Sequence, residues 1–261
     1  MLRAFFSERT KLRRKWMILG VFGPLVAFSV GSTIFQIVLA DKAGTPEGFG
    51  LRSTRALTSA QGLANVITDS AAFGGVIVVI LFATGFATEY GWGTLRNLLV
   101  RQPRRVRLFL GKSLGLLDFT YLGVLLMVAA SFGAASLLAP GQGISTEAWF
   151  TADGIAEVVK ATVNLMLSTI GWASLGILAS VLLRSPGPAV GVVLAFFPVE
   201  GLVATLWDKA PEWLPGRLFA AVAVGGTEDT DFDRALALSM GYSLVALAIA
   251  LWTFARSDVT A

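Results

Sequence analysis

The chain has 261 residues, of which 55% are hydrophobic and only 15% are charged, and its mean hydropathy is +0.71. Soluble domains carry about 25% charged residues, so this composition indicates a membrane protein. The absence of cysteine and histidine excludes disulfides and thiolate metal sites and removes the commonest general base. We therefore expect a chain that is not an enzyme and holds no metal or cofactor of its own.

Residues 1–15 mix basic and apolar side chains. Between Leu2, Phe5, Phe6 and Leu12 stand Arg3, Arg9, Lys11, Arg13 and Arg14. The mixture predicts a helix lying in the membrane interface with its basic side toward anionic lipid, and a solvated basic tail is the alternative. A cleaved signal peptide is not favoured, because the apolar run that follows has about 25 residues and signal peptides use 7–15.

Six apolar stretches are long enough to cross a bilayer as helices, because a hydrocarbon core of about 30 Å needs about 20 residues. They lack the alternation of a membrane barrel, so we expect an all-α polytopic membrane protein that forms one transmembrane domain over residues 1–261. The predicted spans are Trp16–Ala40, Ala71–Thr88, Leu108–Leu138, Ile155–Leu183, Pro188–Trp207 and Leu236–Ala255.

Lys and Arg are distributed unequally between the two sides that six spans define. Of the 21 basic residues, 14 fall on the side of the termini: Arg3, Arg9, Lys11, Arg13, Arg14, Lys15, Arg96, Arg101, Arg104, Arg105, Arg107, Lys112, Arg184 and Arg256. The other side has Lys42, Arg52, Arg55, Lys160, Lys209, Arg217 and Arg234. This asymmetry predicts that both termini are cytoplasmic. The composition, rich in Ala, Gly and Val, suggests a bacterial cell membrane. Because the basic residues flank apolar spans, we expect the lipid bilayer, and not nucleic acid, as their partner.

The segment between the second and third spans carries the most specific pattern. It reads E-Y-G-W-G-T-L-R-N-L-L-V-R-Q-P-R-R-V-R-L-F-L-G-K from Glu89 to Lys112. Gly91 and Gly93 allow a sharp turn as the chain leaves the bilayer, and Thr94 is a suitable N-cap. A short helix is predicted from Leu95 to about Gln102, where Pro103 stops it.

That short helix is predicted to be amphipathic. Leu95, Leu98 and Leu99 share one face, whereas Arg96, Asn97 and Arg101 point elsewhere. One interpretation is that the leucines dip into lipid headgroups. The other is that the leucine face docks into a groove on a cytoplasmic partner.

The segment resembles the first cytoplasmic loop of type-2 ATP-binding-cassette permeases. The shared pattern, Glu-x3-Gly-Thr-x-Arg-x-Leu-Leu followed by Pro-x-Arg and a Lys, falls on Glu89, Gly93, Thr94, Arg96, Leu98, Leu99, Pro103, Arg105 and Lys112. The likeness extends to the basic N-terminal helix, the six spans and an outer segment at 207–235 that resembles the short re-entrant outer helices of the family. Pro198 and Glu200, within the fifth span, match no feature of the family.

The resemblance implies that residues 89–105 are a coupling loop. A separate nucleotide-binding subunit would bind ATP and Mg, and two copies of it would close on ATP, push the coupling helices and switch the spans between inward- and outward-open states. Glu89 and the Leu95–Leu99 helix would contact that partner, and Arg105 with its basic neighbours would anchor to lipid headgroups or to acids of the partner. The cargo would be a drug, peptide, lipid or glycan, and a second permease, identical or paralogous, would complete the pump.

No ATP site is expected in this chain. Gly111-Lys112-Ser113 matches the end of a phosphate-binding loop, but Val106 occupies the position where that motif needs glycine. The tripeptide also opens a predicted membrane helix and does not follow a strand.

Two acidic residues, Asp118 and Glu200, fall inside predicted spans, where each costs about 2.5–3.5 kcal/mol on insertion scales. They either pair with polar groups such as Asn164 or Thr120, or line a pathway for a polar or cationic substrate or for protons. The second interpretation supports a rival function, a proton-coupled secondary transporter. Four tryptophans near span ends are expected as interfacial anchors: Trp149, Trp207, Trp213 and Trp252.

Overall fold

A computed structural model describes residues 1–40, 53–71, 73–101, 103–207 and 209–257, without the side chains of Arg3 and Arg101. Lys42 and Arg52, which the charge count places on the outer side, lie outside these ranges. The described residues form helices and no strand. The α-helices are α1 (Leu2–Leu12), α2 (Lys15–Val38), α3 (Thr54–Leu57), α4 (Gly62–Ser70), α5 (Gly74–Gly91), α6 (Leu95–Arg101), α7 (Arg105–Leu138), α8 (Ala152–Leu183), α9 (Pro186–Leu206), α10 (Pro215–Val224) and α11 (Phe232–Arg256).

Six of these helices are long and apolar enough to cross a membrane: α2, α5, α7, α8, α9 and α11. The predicted all-helical fold is thereby confirmed, and its six candidate spans are consistent with a polytopic membrane protein. Each end of these six helices lies within about four residues of the predicted bound. With 34 residues, α7 is about 51 Å long, so it extends beyond a hydrocarbon core of about 30 Å.

The centre of the bundle is the packing of α5 against α8. Gly176 of α8 lies so close to α5 that a Cβ atom there would stand 2.6 Å from the Val79 carbonyl oxygen. One turn on, the Ser180 hydroxyl accepts hydrogen bonds from the backbone N–H groups of Phe86 (3.1 Å) and Ala87 (2.7 Å). Small residues thus let the two backbones approach closely, as is common where membrane helices pack.

The N-terminal helix α1 packs on the first turns of α7. A Cβ atom at Gly111 would lie 2.6 Å from the Met1 carbonyl oxygen, and one at Gly115 would lie 3.0 Å from Cβ of Glu8. These two glycines, four residues apart, form the shallow groove that receives α1. At the other end of the chain, one Nη of Arg105 donates to the Ala255 carbonyl at 3.3 Å and to the Ser257 carbonyl. Both ends of the described chain therefore lie at the same end of the bundle.

The opposite end of the bundle contains helices that the hydropathy pattern did not predict. α3 and α4 precede the second span, and Leu57, Leu63 and Ile67 of this pair are fully buried. The Trp149 indole donates to the Leu57 carbonyl at 2.7 Å and is fully buried. The expectation that Trp149 is an interfacial anchor is therefore wrong, whereas Trp207, Trp213 and Trp252 are exposed as such anchors require.

The predicted outer segment at 207–235 includes α10, which is too short to span a bilayer. With 10 residues it is about 15 Å long. Leu218 and Phe219 are fully buried, and Gly171 of α8 leaves the space that the Phe219 ring occupies.

Candidate functional site

The predicted coupling loop leaves the membrane bundle at the end of α5. Gly93 adopts a left-handed conformation, with φ of +66°, which glycine adopts without the steric cost that a Cβ atom brings. Thr94 stands directly before α6, and its carbonyl accepts from the Leu98 N–H at 3.2 Å. Its hydroxyl donates back to the Glu89 carbonyl at 3.5 Å. The turn at Gly93 and the start of α6 at Leu95 therefore follow the prediction. The Thr94 hydroxyl, however, donates to Glu89, whereas an N-cap side chain accepts from the first helical turn. Gln102, the predicted end of the helix, lies outside the described residues.

The leucine face of α6 packs against the chain itself. Leu95 is 2% exposed, and Leu98 and Leu99 are half-buried against the same core. The sequence left open whether this face meets lipid headgroups or a partner. Here Leu95 is taken up by the chain's own core, and Leu98 and Leu99 stay partly exposed. The exposed face of α6 consists of Arg96, Asn97 and Val100, the last of which is 78% exposed.

Glu89 is also buried, at 4% exposed, and is one of four charged side chains that lie together. Its Oε1 accepts from Nζ of Lys11 and from Nζ of Lys112, each at 2.7 Å. Lys112 also donates to Glu8 at 3.0 Å, and Lys11 lies 3.7 Å from the second oxygen of Glu8. We call Glu8, Lys11, Glu89 and Lys112 the charge cluster; it joins α1 and α7 to the end of α5, the helix that precedes α6 in the chain.

The charge cluster is electrically balanced, as buried charges need to be. Lys112 is 2% exposed and also lies over the Phe86 ring, 5.3 Å from its centroid, in the arrangement of a cation–π contact. Burial lowers the pKa of Lys11, but the attraction of Glu8 and Glu89 outweighs it and raises the pKa above its usual value. Lys11 therefore carries its charge throughout the physiological pH range.

Three further residues of the loop, Pro103, Arg104 and Arg105, differ in their surroundings. Arg105 is half-buried and holds the end of α11 through the Ala255 and Ser257 carbonyls. Pro103 and Arg104 are exposed. Arg105 thus has a contact inside the chain that sequence reasoning did not anticipate.

Asp118 pairs with the N-terminal helix and not with Asn164 or Thr120, the partners suggested from sequence. Its Oδ2 lies 3.3 Å from Nε of Arg9, although the two groups are not aligned as a hydrogen bond. The Thr120 hydroxyl donates instead to the Leu116 carbonyl of its own helix. Because the Asp118 and Arg9 side chains are 35% and 47% exposed, water screens this ion pair.

Glu200 caps the N-terminus of α10. Its Oε1 accepts from the Gly216 backbone N–H at 2.7 Å, and the residue is 7% exposed. The first N–H groups of a helix lack partners within the helix and carry partial positive charge, so a carboxylate there is stabilised. The sequence left open whether Glu200 pairs with a polar group or lines a pathway. In the structure its carboxylate pairs with the Gly216 N–H.

The Glu200 cap predicts a specific sensitivity at Gly216. A Cβ atom at this position would overlap with Oε2 of Glu200 and lie 3.0 Å from Cη2 of Trp172. We expect Gly216→Ala to displace the carboxylate and to destabilise the protein by about 2 kcal/mol, the cost of leaving a buried charged group without its hydrogen bond. The measurement is thermal unfolding in detergent micelles.

The matched control is Gly201→Ala, one residue after Glu200. Nothing lies within 4 Å of a Cβ atom there, so this variant should be neutral or slightly stabilising, by up to about 1 kcal/mol. Equal melting temperatures for the two variants would argue that Glu200 does not hold α10.

No group of three or more acidic side chains that could hold a metal ion occurs in the part of the chain that the structure describes. The pairing of Glu8 with Lys112 escaped sequence analysis. The one available signal was the presence of Glu8, the sole acid in a basic segment of 15 residues. A single acid among many cations indicates that its side chain pairs with a particular base.

The comparisons with known proteins identify a family without a described activity. A family described as "Protein of unknown function (DUF2705)" matches residues 30–260. The chain is also similar to "Uncharacterized protein YhcI" of Bacillus subtilis (strain 168), with 28% identity over 200 residues. That match covers 70% of this chain and 62% of the relative, so the chain spans less than two thirds of the relative's length.

Proposed function

We propose that this chain, which belongs to the DUF2705 family of proteins of unknown function, is the membrane-spanning permease subunit of an ATP-binding-cassette exporter. A separate nucleotide-binding subunit would bind and hydrolyse ATP. The permease would carry a drug, peptide, lipid or glycan across a bacterial cell membrane, with both of its termini on the cytoplasmic side.

The observation that carries this proposal is the way in which α6 is mounted. The helix joins two candidate spans, α5 and α7. Leu95 is buried in the same core as Leu12, Phe86 and Leu108. The charge cluster ties the end of α5, which leads into α6, to α1 and α7. A force applied to the exposed face of α6 is therefore passed on to α5 and α7 and is not absorbed by a flexible loop.

The surface offered to the nucleotide-binding subunit is the outer face of α6. Arg96 and Asn97 are exposed there beside Val100, and Trp92 in the preceding turn is 75% exposed. An arginine and an aromatic ring next to an apolar side chain are residue types enriched in protein interfaces. Leu95 holds the helix to the core, and Glu89 holds the end of α5 before it to α1 and α7.

A second permease subunit belongs to the same proposal. α9 is one of the two least buried candidate spans and exposes Val192, Val199 and Leu202. On this helix Gly187 and Gly191 have open space around them. An apolar face with small residues four apart is suited to close contact with another membrane helix.

The rival function, a proton-coupled transporter that uses Asp118 and Glu200, finds less support in the geometry. Asp118 is paired with Arg9, and Glu200 caps α10. Both carboxylates have partners that explain their presence in a membrane helix.

The proposal is tested by asking whether an ATPase co-purifies with the chain. We expect the tagged protein, extracted from its native membrane in mild detergent, to co-purify with an ATP-hydrolysing subunit. Arg96→Glu should lower the ATP hydrolysis recovered by about tenfold, because it reverses the charge of an interface residue.

The matched control is Arg55→Glu, an equal charge reversal at an exposed arginine of α3, on the opposite side of the predicted topology. It should leave the recovered activity unchanged. Absence of ATP hydrolysis from the wild-type preparation, or equal loss in the two variants, would contradict the proposal.

A further inference from the structure

A cavity of about 700 Å³ lies beside the charge cluster, between the α1–α2 junction and helices α5 and α6. Its wall has two chemically different parts. One part is polar and includes Lys11, Arg14 and Asn97; the other is apolar and includes Met17, Leu81 and Leu116. The cavity is thus amphipathic and opens where two candidate spans, α2 and α5, reach one end of the bundle.

The polar part of the cavity favours an anion. Arg14 lines it, is exposed, and has no ion-pair partner within the described ranges. Glu8 and Glu89 also line the cavity, but the two lysines of the charge cluster already balance their charges. Arg14 is therefore a cation of the cavity wall that no carboxylate engages in the part of the chain that the structure describes.

The start of α2 adds to this preference. Arg14 is the N-cap residue of this 24-residue helix, and no side chain caps it in the structure. The free N–H groups of the first turn and the helix dipole both favour a negative group at this position. A phosphate there would be held by charge-assisted hydrogen bonds from Arg14, with the charged and half-exposed Lys11 nearby.

The apolar part of the cavity determines which phosphate compound fits. Met17, Leu81 and Leu116 offer no hydrogen bonds from their side chains, so this part of the wall suits hydrocarbon and not a hydrated ion. A free phosphate ion gains nothing from this surface. An amphiphile with a phosphate headgroup uses both parts of the wall.

We propose that this cavity binds one phospholipid molecule, with its phosphate at Arg14 and the start of α2 and a hydrocarbon chain along Met17, Leu81 and Leu116. The ligand comes from the leaflet that faces the α1 end of the bundle. Binding needs only this chain, so the proposal does not depend on the ATP-driven function proposed above.

The experiment uses the full chain in nonionic detergent and a photoreactive phosphatidylglycerol. Labelling should saturate and map to peptides of α2 and α5 that line the cavity. Arg14→Gln should raise the half-saturating concentration by about tenfold, because it removes a charge-assisted contact to phosphate. Arg13→Gln removes the neighbouring exposed arginine, which does not line the cavity, and should change it by less than about twofold.

Two further probes identify the source of the phosphate. A photoreactive diacylglycerol with the same chains but no phosphate should label weakly. Inorganic phosphate should not compete with the phospholipid at equal concentration. Equal effects of Arg14→Gln and Arg13→Gln would overturn the proposal, as would equal labelling by diacylglycerol or full competition by inorganic phosphate.

Discussion

Replacing Glu89 by alanine is expected to destabilise the helix bundle by about 3 kcal/mol. The change removes the carboxylate that two lysines share and leaves Lys112, which is 2% exposed, with Glu8 as its remaining counter-charge. Removing one partner of a buried ion pair typically costs about 3–5 kcal/mol. The retained contact with Glu8 at 3.0 Å places the effect at the lower end of this range.

Thermal unfolding in detergent micelles measures this effect, and Asp118→Ala is the matched control. It too removes a carboxylate that binds α1, but the Asp118–Arg9 pair is well exposed to solvent, so we expect a loss of at most about 1 kcal/mol. Combining Glu89→Ala with Lys112→Met should recover part of the stability, because the remaining charges of Glu8 and Lys11 then balance each other. Equal losses of stability from Glu89→Ala and Asp118→Ala would mean that the charge cluster stabilises the protein no more than an exposed ion pair does.

Glu89→Ala also bears on the proposed function. The variant should still insert into the membrane, but the end of α5 before α6 would no longer be held to α1 and α7. We therefore expect it to lose ATP hydrolysis coupled to transport. In this account Glu89 acts by keeping α5, α7 and α1 together, and not by touching the ATPase.

The six long helices could be predicted from sequence because membrane crossing is a local property. About 20 apolar residues in a row are sufficient, whatever the rest of the chain does. α3 and α4 escaped prediction because they are short and their burial depends on distant partners. Leu57, for example, is held by Trp149, 92 residues away in sequence.

The helix at 95–101 was predicted from sequence, but the direction in which its leucine face points was not. The spacing of Leu95, Leu98 and Leu99 correctly indicated an amphipathic helix, yet periodicity cannot say whether an apolar face meets a partner or the chain's own core. The pairing of Glu89 with Lys11 is likewise a tertiary contact, because it depends on where α1 docks. The partner of Asp118 could not be predicted for the same reason, because Arg9 lies in α1 and the sequence does not specify where α1 docks.

The docking of α1 leads to the second large effect, at Gly111. We expect Gly111→Leu to release α1 from α7, because even the first side-chain atom would lie 2.6 Å from the Met1 carbonyl oxygen and 2.7 Å from Cβ of Ala4. Two backbones in contact cannot accommodate a leucine by moving a side chain. Overpacking of this kind costs about 1–3 kcal/mol, and here moving α1 away relieves it.

Release of α1 can be measured by trypsin cleavage after Arg9 and Lys11. An isolated helix shorter than about 12–15 residues is marginal in water, and α1 has 11, so it should unfold once it leaves α7. We expect cleavage at these two sites to accelerate by about tenfold or more, in proportion to the population of the open form.

The control for Gly111→Leu lies in the same helix. Gly133 has nothing within 4 Å of a Cβ atom, so Gly133→Leu introduces the same side chain into α7 without touching α1. Its cleavage rate after Arg9 and Lys11 should match that of the wild type. If both leucine variants were cleaved at the wild-type rate, α1 would not depend on the Gly111 groove, and the position of the charge cluster, which needs α1 in place, would have to be reconsidered.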